Sequence, residues 1–121
     1  PWLAQARVAD GANILVDISN DGWFEDTPAS RQHLYLTVLR ALEQNRWILR
    51  GTNTGISVVV DPRGRLTARG GQFRAESLWA RAGLSTAPSL YHRLAPWLLP
   101  VAALLCLVLL VLGPRGARTS D

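Results

Sequence analysis

The chain has 121 residues, enough for one modest domain. Its thirteen basic residues are all arginine, set against nine carboxylates for a net charge of +4, and they are scattered, so no block of like charge forms a nucleic-acid arm. With no lysine and one cysteine, Cys106, the chain excludes an intrachain disulfide, a thiolate metal cluster and any mechanism needing a lysine of its own.

Pro1 to Arg7 is apolar and mixed and reads as a short helix, with nothing resembling a signal peptide. A chain that contains no methionine and begins at Pro1 is expected to be processed, or the C-terminal piece of something longer. Asn13 to Ile18 predicts a strand, and consecutive Ile14, Leu15 and Val16 predict burial on both faces. Ser19, Asn20, Asp21 and Gly22 then turn the chain and present Trp23 and Phe24. In open α/β sheets, sites lie just beyond the carboxyl end of a strand, so this loop is the candidate pocket wall. The bland alternative is a surface turn whose Trp and Phe fold back into the core.

Thr27-Pro28 opens a helix, with Thr27 as N-cap and Pro28 where its missing N–H is harmless. Leu34, Val38, Ala41 and Leu42 then form a core-facing stripe on a helix running to about Asn45. Trp47 to Gly51 and Gly55 to Val60 predict strands, Asp61-Pro62-Arg63-Gly64 a turn, and Arg65 to Arg69 and Ser77 to Arg81 further strands. From Leu94 to Gly113 there are twenty uncharged residues, enough to span a bilayer. Pro96 and Pro100 are tolerable in such a helix, and Tyr91 and Trp97 fall where an interfacial aromatic belt is expected. Arg115 and Arg118 in the short tail point to a cytoplasmic C-terminus, with the soluble portion outside the cytoplasm. Cys106 lies in a wholly apolar stretch and reads as a buried, unreactive thiol. The order of elements is that of an α/β layered domain.

Several of these segments carry a resemblance. Ser19-Asn20-Asp21-Gly22-Trp23-Phe24, Gln32-His33, Arg40-Ala41-Leu42-Glu43, Asn53-Thr54-Gly55-Ile56-Ser57 and Asp61-Pro62-Arg63-Gly64 resemble, in order, the C-terminal half of the apolipoprotein N-acyltransferase family. These are membrane-embedded members of the nitrilase (carbon–nitrogen hydrolase) superfamily. Thr86-Ala87-Pro88, Tyr91, Arg93 and the last apolar helix fit the same pattern. The Arg-Ala-x-Glu and Asn-x-Gly elements are common to the superfamily; the Trp-Phe loop combined with a terminal membrane helix narrows the match.

The resemblance implies the second half of a nitrilase-like αββα sandwich followed by one C-terminal transmembrane helix. Residues 1–85 would be hydrolase domain, 86–93 a linker, 94–113 the membrane span and 114–121 a short basic tail. It implies a Cys nucleophile, a Glu base and a Lys that stabilises the oxyanion. The substrates would be a phospholipid acyl donor and a lipoprotein acceptor, used by a monomer in the bacterial inner membrane with its soluble portion periplasmic, without cofactor or nucleic acid. No residue of that triad is expected here, so no catalytic residue and no metal ligand is assigned, and the fragment is expected to be inactive. Asn20, Trp23 and Phe24 are the expected substrate-binding residues. Asp21 is expected to bond loop amides, His33 to pack or hydrogen-bond, Glu43 to pair with an arginine and His92 to lie at the membrane interface. The competing readings are an amidase of the same superfamily and a tail-anchored interaction module without enzymatic activity.

Overall fold

A computed structural model describes residues 2–112; Pro1, Gly113 and the basic tail, with Arg115 and Arg118, lie outside the described residues. The elements run α1 (Trp2–Ala9), β1 (Ile14–Ser19), a 3-10 turn (Gly22–Phe24), α2 (Ala29–Gln44), β2 (Trp47–Thr52), β3 (Val58–Val60), β4 (Leu66–Arg69) and α3 (Leu90–Leu112). One mixed sheet has the order β1-β2-β3-β4, with β1 and β2 parallel and the later pairs antiparallel. This is the expected α/β architecture.

The parallel pair needs a crossover, and α2 supplies it. Thr27 and Pro28 start that helix as their chemistry dictates. Pro28 is already helical, its carbonyl accepts from Arg31 and Gln32, and Thr27 Oγ1 accepts from the Ala29 amide at 3.4 Å. Asn45 ends the helix in the left-handed region, its N–H returned to Ala41 and Leu42. The buried stripe is Ser30, Leu34, Thr37, Ala41 and Gln44, whereas Leu42 is exposed. Leu34 and Ala41 pack with Ile48, Ile56, Val58 and Val60, with Leu15 and Val38 at the margin. One polar member of the stripe, Thr37, answers a polar group beneath it, the guanidinium of Arg50, which no apolar pattern announces.

Four expectations are corrected. β1 is not buried on both faces: Val16 and Ile18 stand 65% and 87% exposed on the side away from α2, where no described residue covers them. Gly55 to Ser57 is not strand, because Ser57 Oγ accepts from the Thr52 amide and Phe73 N–H bonds Thr54 O, taking groups a ladder would have used. Ser77 to Arg81 forms no strand, and Trp79 is exposed. Cys106 is exposed on α3 rather than buried.

The turn after β3 is built as its sequence suggests. Asp61 accepts from the Arg63 and Arg65 amides and from Arg65 Nε, and Gly64 adopts φ +76°. Burial alone would raise the Asp61 pKa, but these bonds and the Arg65 charge outweigh it and hold the carboxyl below its usual range.

Arg46 anchors the stretch that leads into α3. Its guanidinium donates to the carbonyls of Ala12, Gln44, Asn45, Thr86 and Ala87, and desolvation lowers its pKa. Ser89 caps α3 by accepting from His92 N–H at 2.9 Å and donates to Glu43 O. Glu43 itself pairs with Arg40. The 23-residue α3 is long and apolar enough to cross a membrane, and none of its residues is buried against the rest of the chain.

Candidate functional site

The loop between β1 and α2 leaves the sheet at the carboxyl ends of both parallel strands. Asn20 folds inward: its Oδ1 accepts from Gly22 N–H at 3.0 Å and from Asn53 Nδ2 at 2.7 Å. Asn53 Oδ1 in turn accepts from the amides of Asp21 and Thr54. The Asn20 and Asn53 loops are therefore clasped side chain to backbone. Trp23 points to solvent at 87% exposure, and Phe24 meets the His33 ring edge-on with centroids 5.5 Å apart. Glu25 closes the loop at φ 45°, ψ −147°, a region that costs a non-glycine residue about 1–3 kcal/mol.

Asp21 is the centre of the loop, and its partners are not the loop amides expected of it. Its carboxylate accepts from Ser19 Oγ at 2.7 Å and from Arg50 Nη2 at 3.0 and 3.2 Å, and lies 2.9 Å from His33 Nδ1. Desolvation alone would raise its pKa; the hydrogen bonds from Ser19 and His33 and the charge and hydrogen bond of Arg50 outweigh that and hold it below the usual carboxylate range. Arg50 Nη1 also reaches Asp17 Oδ2 at 2.6 Å and Thr37 Oγ1 at 2.8 Å. Gly55 makes this possible, since a Cβ there would lie 2.1 Å from Asp21 Oδ2.

The expected wall residues Asn20, Trp23 and Phe24 thus share one loop, but they do not enclose a cavity. A cleft of about 360 Å³ lies beside them instead, lined by Leu3, Leu15, Val16, Asp17, His33 and Leu36 among others. Among the described residues, no group of three or more His, Cys, Asp or Glu side chains is placed to hold a metal ion. Asp17, Thr37 and Arg50 escaped the sequence reading, because a lone Arg in a strand and a Thr in a helix stripe look ordinary until the fold superimposes them. The one available signal was Asp17, a carboxylate set inside a run of aliphatic residues.

Residues 2–89 match the family model described as carbon-nitrogen hydrolase. The chain belongs to the carbon-nitrogen hydrolase family. Within that family it is similar to proteins named apolipoprotein N-acyltransferase. The one from Azotobacter vinelandii is 36% identical over 95% of this chain, and that from Gloeobacter violaceus 37% identical over 94%. The Pseudomonas putida protein is 34% identical, again over 94% of this chain. The chain spans only 22–23% of the length of these carbon-nitrogen hydrolase relatives.

Proposed function

We propose that this chain is the C-terminal part of a membrane N-acyltransferase that moves an acyl chain from phospholipid to the N-terminal diacylglyceryl-cysteine of lipoproteins. The observation that carries the reading is the Asn20–Phe24 loop, clasped at the carboxyl end of β1 with Trp23 presented to its surroundings, in a chain whose relatives bear that acyltransferase name. In this reading residues 1–85 finish a hydrolase-like domain, 86–93 link it to the membrane, 94–113 span the bilayer and 114–121 form the tail. The sheet lies on the periplasmic side of the bacterial inner membrane.

The chemistry consists of two acyl transfers. A cysteine thiolate attacks an ester carbonyl of the phospholipid, and the lysophospholipid leaves as the alcohol after taking up a proton. The lipoprotein amine then attacks the thioester, loses a proton to the base and releases the thiolate. Each tetrahedral intermediate needs an oxyanion donor and each proton transfer a base. This chain has no lysine, and its cysteine lies within α3, so the thiol, the Glu base and the Lys would come from elsewhere in the whole protein. Alone, the chain would be inactive. Its own contribution is substrate contact: Trp23 and Phe24 offer apolar surface to an acyl chain, and Asn20 fixes the loop that carries them.

Labelling of the whole protein with a fluorescent phospholipid tests the assignment of roles. The Cys106→Ala variant is expected to accumulate the acyl-enzyme thioester as the unmodified protein does. Loss of labelling at normal membrane abundance would make Cys106 the nucleophile and overturn the reading.

A further inference from the structure

One buried cation joins the elements that meet beneath the Asn20–Phe24 loop. Arg50, on β2, holds Asp17 of β1 and Thr37 of α2 through Nη1, and Asp21 of the loop through Nη2. His33, on α2, places Nδ1 2.9 Å from Asp21 Oδ1 and 3.0 Å from Arg50 Nη2. That nitrogen donates to the carboxylate when it carries the proton and accepts from the guanidinium when it does not. The imidazole also meets the ring of Phe24 edge-on. Arg50, Asp21, His33 and Phe24 therefore form an unbroken line of contacts from the middle of the sheet to the loop.

Stability alone is a poor reason for such an arrangement. Taking a guanidinium and a carboxylate out of water costs several kcal/mol per ion before their attraction returns any of it, and apolar replacements of similar volume are often neutral or better. What the pair does supply is direction. A carboxylate held by three donors from three elements has one position, and its backbone, with Asn20 on one side and Gly22 on the other, is fixed with it.

We propose that His33 and Arg50 are positioning residues that act through Asp21 to set the backbone of Asn20–Phe24, and so the angle at which Trp23 and Phe24 meet an acyl chain. This rests on the reading of that loop as an acyl contact. A displacement of about 1 Å is enough to cost about a hundredfold in rate where geometry governs the reaction.

The test is a double-mutant cycle in the whole protein, following acyl transfer from a fluorescent phospholipid to a diacylglyceryl lipopeptide and expressing rates per folded molecule. Arg50→Ala would strand the buried Asp21 carboxylate and unfold the site, so His33 is the residue to vary. His33→Ala is expected to slow transfer about ten- to a hundredfold. His33→Asn, whose amide reaches the place of Nδ1, is expected to restore the rate to within about threefold. In a Trp23→Ala background, His33→Ala should add little, because both act through one loop. A full rate for His33→Ala per folded molecule, or penalties that simply multiply, would overturn the positioning role. If Trp23→Ala alone left the rate unchanged, the acyl-contact reading would fall, and this inference with it. If Trp23→Ala impaired transfer while His33→Ala did not couple to it, only the positioning role would fall.

Discussion

Arg50 and Asp21 show how much one buried pair can organise. Because the folded Asp21 has a lowered pKa, its contribution to stability is complete above the unfolded pKa of about 4 and is lost as pH falls through the folded value. Asp61 acts in the same direction. Acid titration of the chain in detergent micelles should therefore show unfolding below about pH 4, and Asp21→Asn should flatten that dependence. An unaltered acid transition in the variant would show that Asp21 is not held as described. Gly55→Ala drives a methyl group to 2.1 Å from Asp21 Oδ2 and should destabilise the chain by about 1–3 kcal/mol, read from its chemical denaturation midpoint. A variant as stable as the parent would mean that the Asn53–Gly55 loop does not close over the carboxylate. At residue level the sequence announced the Asp61 turn and set Asp17 in an aliphatic run, but not the buried Arg50–Asp21 pair. Asp21 looked like a turn former, and Arg50 was one of thirteen arginines; only the β1–β2 register, which sets Asp17 opposite Arg50, brings them together.

At the scale of elements the sequence was far more informative, for physical reasons. Helix α2 begins with a Thr-Pro pair and carries Leu34 and Ala41 at helical spacing, so its existence and span were readable. Strands β1 and β2 were readable from their aliphatic runs. The failures fell where side chains replaced the ladder, as Ser57 does, or where an apolar run promised more cover than the described residues give, as at Val16 and Ile18. The membrane helix was legible from composition alone, but its start at Leu90 was not, because Ser89 caps the helix five residues before the uncharged stretch begins at Leu94. Burial of α3 in a bilayer would be worth far more than any peripheral electrostatic contact. The chain should accordingly stay in the membrane fraction through alkaline carbonate and high salt; release by either treatment would show that α3 is not inserted.

For the molecule as a whole, the family is fixed by residues 2–89, while the activity belongs to proteins four to five times as long. The whole-protein reading therefore turns on what the Asn20–Phe24 loop touches. An exposed tryptophan at the carboxyl end of a parallel strand is either idle surface or a substrate contact, and the two differ in one measurable consequence. That measurement is the rate of acyl transfer from phospholipid to lipopeptide by the whole protein carrying Trp23→Ala, at matched membrane abundance. Loss of a large apolar contact made in the transition state predicts a fall of roughly ten- to several-hundredfold. A rate equal to that of the unmodified protein would contradict the account and return Trp23 to the surface.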